Sequence, residues 1–282
     1  MLNEAGEKGR PLFPAILGQL LVWCAVVACA GYGGNTLALD HVTLRREGKT
    51  KAVAGRVVAK AADGGLLLLG RDGVLWRLEP SEVTECRTDD RPFVPLSAEE
   101  LAKQVLAELP RGFDFFRTSH YLIVYNTPRA YAQWCGALLE RLYMAFTNFW
   151  SRRGFALSEP QWPLVAVVFA DQQSYVRYAQ ADLGQAAKSI VAYYNLETNR
   201  ITMYDLTGTE ATGRSAERVT QALVNRILAQ PNAERTVANV IHEATHQIAF
   251  NCGLHTRFSD CPRWFSEGIA LYFETPDLTS TK

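Results

Sequence analysis

The chain has 282 residues, 48% of them apolar and 21% charged. That length and composition bury a real core and exclude a disordered chain. The 29 lysines and arginines balance 29 aspartates and glutamates, and no long basic block occurs. This excludes nucleic acid as a partner, because phosphate backbones select basic surfaces. Neutral or peptidic substrates stay open.

Residues 15–30, AILGQLLVWCAVVACA, form an apolar run broken only by Gln19. The run is shorter than the about 20 residues of a bilayer span and fits the h-region of an export signal. Ala28-Cys29-Ala30 matches a small-x-small cleavage site. Val26-Val27-Ala28-Cys29 resembles a lipoprotein box, which leaves a lipidated Cys29. Gly31, Gly33 and Gly34 end the run. Residues 1–30 are therefore expected to be a signal peptide or a lipoprotein signal and anchor. The protein is then exported: periplasmic, extracellular, or attached to the outer side of a membrane through this segment or Cys29. Beyond Cys24 and Cys29 in this segment, the cysteines are Cys86, Cys135, Cys252 and Cys261. None forms a CxxC pair, which excludes a zinc ribbon.

From His41 to Cys86 the chain reads as β. HVTLRR, KAVAGRVVAK, GLLLLGR and GVLWRLE are strand-like runs separated by Glu47-Gly48, Asp63-Gly64-Gly65 and Asp72-Gly73. A small all-β module, barrel or sheet, is expected over 38–90, joined by a linker at RPFVPLS. Ser97-Ala98-Glu99-Glu100 is a capping box that starts a helix through about Leu109. FFRTSHYLIVY (115–125) reads as strand, 129–153 as a long amphipathic helix, and PLVAVVFA (163–170) as a buried strand. SIVAYYN and NRITMYDL form a hairpin. Helices follow at about 214–229, 233–251 and 262–274.

His242-Glu243-Ala244-Thr245-His246 is an HExxH motif. Residues four apart on a helix share a face, so both histidines can point at one ion. Glu243 then lies beside the ion, where a base takes a proton from water. Val237, Val240, Ile241, Ala244 and Ile248 supply an apolar stripe, and Gly253 a C′ residue. A catalytic zinc needs a third protein ligand and one open position. Separated from His246 by twenty residues, Glu267 lies in WFSEGIA, a helix opened by Pro262. Gly268 there is expected to let this helix approach the metal helix closely.

At this point the chain resembles the gluzincin zinc peptidases. The match is closest to the M1-type aminopeptidase pattern, in which HExxHQ is followed by a WxxEGxAxYxE helix. Here the pattern is His242-Glu243-Ala244-Thr245-His246-Gln247, then Trp264, Glu267, Gly268, Ala270, Tyr272 and Glu274. The chain also looks like an uncharacterised family of exported bacterial gluzincins that shares HEATHQ and PxWxxEGxAxYFE. The resemblance covers residues 237–275. It implies one Zn2+ ion held by His242, His246 and Glu267, with Glu243 as general base.

The resemblance further implies an α+β zincin-like (thermolysin-like) catalytic domain over 98–282, incomplete at its C-terminus. It implies a strand before the metal helix that lines the cleft and pairs with a peptide or protein substrate. NRITMYD supplies the candidate, with Arg200, Thr202 and Tyr204 as substrate-binding residues. The GxMEN strand motif of the aminopeptidases is absent, so no N-terminal specificity follows. Glu274 lies two turns after Glu267 on the same face and is a candidate outer partner of a ligand histidine. Tyr193, Tyr194, Tyr204 and Tyr272 are candidates for oxyanion support. His255 follows Gly253 and reads as a loop histidine, and His41 and His120 lie in strands without ligand partners. Cys252 and Cys261, in the connection between the two ligand-bearing helices, are expected to form a disulfide.

The expected function is hydrolysis of peptide bonds by a metal-activated water. The reading from another class is a non-catalytic exported envelope protein with a structural or vestigial zinc site and a binding β module. An intact Glu243 distinguishes the two, because a structural site has no use for a base beside the metal.

Overall fold

Short apolar runs alternating with glycine turns fold the first third of the chain into one antiparallel sheet. The computed structural model describes residues 38–46, 48–208 and 219–274. The expected export segment and its Cys29 lie outside the described residues. Strands β1 (Ala38–Arg46), β2 (Lys49–Lys60), β3 (Leu66–Gly70), β4 (Leu75–Leu78) and β5 (Val83–Pro92) take the order β4-β3-β2-β1-β5. It is an open sheet rather than a barrel. In the β3–β4 turn, Gly73 has φ +81° and the Asp72 carboxylate accepts from the Val74 N–H at 3.1 Å.

Successive residues on a strand face opposite sides. Leu68 accordingly packs with Val42, Leu44 and Leu78 on one face, and Leu69 with Leu39, Leu75, Phe93 and Trp162 on the other. Trp162 comes from the second half of the chain, and its indole N–H donates to the Arg71 carbonyl at 2.7 Å. The stretch expected as a linker is pinned at the same place. Phe93 is buried edge-on to Trp162, and the Leu96 N–H also donates to the Arg71 carbonyl at 2.7 Å.

The Ser97 capping box is present: its hydroxyl accepts from the Glu100 N–H, and the Glu100 carboxylate from the Ser97 N–H. It opens helix α1 (Ala98–Glu108). The segment 115–125 is a hairpin instead of one strand, β6 (Asp114–Arg117) and β7 (Tyr121–Tyr125). The polar Thr118-Ser119-His120 makes the turn, closed by a Thr118 N–H to Tyr121 carbonyl bond of 2.9 Å. Then come α2 (Arg129–Ser151), β8 (Leu164–Phe169), α3 (Gln172–Leu183), a 3-10 turn at Gly184–Lys188, β9 (Ala192–Asn195) and β10 (Arg200–Tyr204). Helices α4 (Gln221–Leu228), α5 (Pro231–Asn251) and α6 (Arg263–Glu274) complete the described part. Of the helix expected from 214, residues 214–218 lie outside the described residues, and Thr220 caps the part described.

The second sheet has the order β6-β7-β8-β10-β9. β7, β8 and β10 run parallel in its centre, and β6 and β9 are antiparallel edges. All six residues of β8 are buried, as a strand covered on both faces requires. Tyr121, Ile123, Leu164, Ala166 and Ile201 face the core built by α2, α4, α5 and α6. Leu122, Val124, Val165 and Val167 face α1 and α3. Each fully buried aliphatic side chain here contributes about 1.5–3 kcal/mol. The described residues thus form a mixed α/β arrangement of two sheets and six helices. Among them no helix is long and apolar enough to cross a membrane.

Candidate metal centre

Helix α5 lies against β9, β10 and α2, and α6 lies against α5. The apolar stripe of α5 that faces inward includes Val240, Ile241, Ala244 and Ile248, all nearly inaccessible. That leaves His242, Glu243 and His246 on the half-buried flank. Gln247 fixes the helix to the sheet: its side-chain amide donates to the carbonyls of Val165 at 3.0 Å and Asn199 at 2.9 Å. At its C-terminus Gly253 takes φ +82°, and the His255 N–H returns to the Ala249 carbonyl at 3.0 Å. The chain then turns back into α6, where the Pro262 carbonyl accepts from Phe265 and Ser266.

This return brings the Glu267 carboxylate to the two histidines. His242 Nε2 is 3.2 Å from His246 Nε2 and 3.4 Å from Glu267 Oε2, and His246 Nε2 is 3.8 Å from Glu267 Oε1. Donor atoms at bond lengths of 2.0–2.2 Å on a tetrahedral ion are separated by about 3.3–3.6 Å. The three side chains have the donor chemistry and spacing to hold one such cation, and among the described residues they form the cluster able to do so. The other ring nitrogen of His242, Nδ1, lies 2.8 Å from Glu274 Oε2. A carboxylate there fixes the ring orientation and leaves Nε2 as the lone-pair atom. Burial, followed by the charge of His242, holds the His246 imidazole down at about 4, so it is neutral, as a ligand must be.

Glu243 points beside this cluster. Its Oε2 accepts from the Tyr194 N–H at 2.8 Å. Burial raises the Glu243 carboxyl above its ordinary value, against the lowering effects of the Tyr194 N–H and His242. Glu243 is thereby held at the edge of the second sheet, which is β9.

Several expectations need correction. NRITMYD is not the cleft edge: β10 pairs with β8 on one side and β9 on the other, so its backbone groups are used. Arg200 is buried in an ion pair with Glu108, Thr202 is buried, and the Tyr204 ring packs on Tyr175. The edge strand beside the cluster is β9, Ala192–Asn195. Its Tyr194 N–H faces away from β10, and strand alternation gives Ala192 the same orientation. The Tyr193 and Tyr194 hydroxyls are engaged by Asp182 and Asn199. Tyr272 is exposed and its ring packs on Phe149.

Cys252 and Cys261 are free thiols. Cys252 caps α5 and is buried beside Tyr143, whereas Cys261 lies 3.6 Å from His255 Nδ1. The two thiols have different neighbours, and the shortness of the connection does not join them. His255 is buried outside the three-residue cluster. A side chain added at Gly268 would meet open space, so close approach of α5 and α6 is not what this glycine provides.

Sequence reasoning missed β9 as the edge strand and the clamp behind it. Asn199 has φ +61°, and its side-chain amide exchanges two hydrogen bonds of 2.8 Å with that of Asn251. The signal was Thr198-Asn199 ending a hairpin loop, since asparagine tolerates left-handed backbone.

Residues 236–282 match a family described as a protein of unknown function, DUF1570. The match spans the part of α5 that carries His242, Glu243 and His246 and all of α6, well under half the chain. No curated protein and no solved structure matches the chain.

Proposed function

We propose that this protein is an exported, zinc-dependent peptidase of zincin-like, thermolysin-like architecture, with peptide or protein as its substrate. The observation that carries this reading is the convergence of His242, His246 and Glu267 at distances close to those of a tetrahedral site, with Glu243 beside them. When bound, zinc supplies Lewis acidity and makes a hydroxide nucleophile accessible near neutral pH. The Tyr194 N–H occupies Glu243 Oε2, which leaves Oε1 to take a proton from water. Glu243 then passes that proton to the leaving amine as the C–N bond breaks. The outward backbone groups of β9 other than the Tyr194 N–H hold an extended substrate by adding it to the sheet edge.

The envelope-protein reading, with a structural zinc, calls for a fourth protein ligand. Among the described residues the cluster has three members, and His255 and Cys261 face each other instead. This favours an open, catalytic position. The test is metal analysis of purified protein together with cleavage of a peptide library by wild type and Glu243→Gln. The expected result is about one zinc per chain in both proteins and hydrolysis by the wild type alone. Equal cleavage by metal-replete Glu243→Gln would sink the mechanism, and a wild type without zinc would sink the reading.

A further inference from the structure

Arg257 sits in the connection between α5 and α6, and its guanidinium is half-buried. Among the described residues no carboxylate pairs with it. It donates to three carbonyls: Nη1 to Leu196 at 3.1 Å and Glu197 at 3.4 Å, and Nη2 to Gly73 at 2.9 Å. A charge held by carbonyls alone loses hydration without gaining a counter-ion. The arrangement is one that a planar fork can make and a single ammonium cannot, because the fork reaches two chain segments at once.

Those segments belong to different parts of the fold. Leu196 and Glu197 form the turn after β9, the strand whose Tyr194 N–H holds Glu243. Gly73 belongs to the first sheet, and two residues on, the Leu75 N–H donates to the same Glu197 carbonyl at 2.8 Å. Arg77 of that sheet pairs with the Glu197 carboxylate at 2.6 Å and lies 5.0 Å from the Phe258 ring centroid. The backbone of Arg257 itself leads from His246 to Glu267. One side chain therefore joins the first sheet, the strand beside the base, and the loop that delivers the third ligand.

We infer that Arg257 is a positioning residue through which the first sheet holds β9 and the α6 loop in place, making residues 38–92 part of the metal centre's scaffold. This rests on the zinc-peptidase reading above. It replaces the picture of a separable binding module with one of a buttress.

The test uses the full chain. Zinc affinity is measured by chelator competition in wild type and Arg257→Gln, with the visible spectrum of the cobalt-substituted proteins and thermal unfolding of the metal-free ones. Arg257→Gln is expected to unfold cooperatively yet bind zinc at least about tenfold more weakly, the scale seen when outer partners of a metal ligand are removed. Its cobalt bands are expected to shift. Should Arg257→Gln fail to fold, Arg257→Lys, which keeps the charge but has a single head, is read by the same outcomes. A lower unfolding temperature with unchanged zinc affinity and cobalt spectrum overturns the role of Arg257 alone. A wild type that takes up neither metal overturns the zinc reading and this inference with it.

Discussion

The backbone N–H of Tyr194 donates to the Glu243 carboxylate at 2.8 Å, tying the edge strand of the second sheet to the residue next to the first histidine. Glu243 is therefore oriented by main chain, which cannot rotate away as a side chain can. Shortening this residue by one methylene separates its two tasks. Glu243→Asp keeps the charge but cannot both reach the Tyr194 N–H and stand beside the metal position. We expect normal zinc content, little change in KM, and a fall in kcat of about 100-fold. Steady-state kinetics on any peptide cleaved by the wild type checks this. A kcat near that of wild type would mean that the carboxylate position is not held as described.

The two carboxylates of α6 are expected to differ in kind. Glu267 faces both histidines, and Glu274 braces Nδ1 of His242. Glu267→Ala leaves two histidines and should abolish stoichiometric zinc. Glu274→Ala should retain zinc but weaken it by about 10- to 100-fold. Chelator competition on both variants reads the difference, and equal losses would erase the distinction between ligand and brace.

The thiols give a test independent of metal. Burial pushes the Cys252 thiol up to about 11, and the free Cys261 is partly exposed. In native protein alkylated without reductant, peptide mapping should find Cys261 modified and Cys252 protected until unfolding. A linked Cys252–Cys261 peptide would restore the disulfide.

Acid stability is expected to depend in part on the pair of His120 and Glu140, far in sequence from α5. Burial alone would raise the Glu140 carboxyl. Hydrogen bonds from the His120 ring, the Thr118 hydroxyl and the His120 N–H outweigh it and hold the group below its ordinary value. A carboxyl lowered on folding adds stability that is fully present above its unfolded value, about 4.3. That stability is lost as pH falls through the folded value. Glu140→Gln should therefore be less stable than wild type at pH 7, by about 1 kcal/mol once solvent screening of this partly exposed pair is allowed for. The gap in urea-unfolding free energy should close progressively below about pH 4. A gap that is the same at pH 7 and pH 3 would assign the loss to packing.

Periodicity and local chemistry alone determined much of this protein. The Ser97 capping box, the buried run of β8, the β9–β10 hairpin and the helical HExxH stretch were all legible, because each depends on residues within a few positions of one another. The i, i+4 spacing of His242 and His246 is a property of one helix, so it too could be read directly. Tertiary structure decided what distant segments do to each other. β10 looked like a cleft edge until β8 and β9 paired on both its sides, and pairing is invisible in a strand's own residues. Cys252 and Cys261 are close in sequence, but Cys252 lies beside Tyr143 and Cys261 beside His255. RPFVPLS connects β5 to α1, and its anchoring could not be read locally, because Trp162, about seventy residues on, packs on Phe93. Arg257 carries no motif at all. Its role follows only from the meeting of Gly73, Leu196 and Glu197, which contacts between the turn after β3 and the turn after β9 bring together.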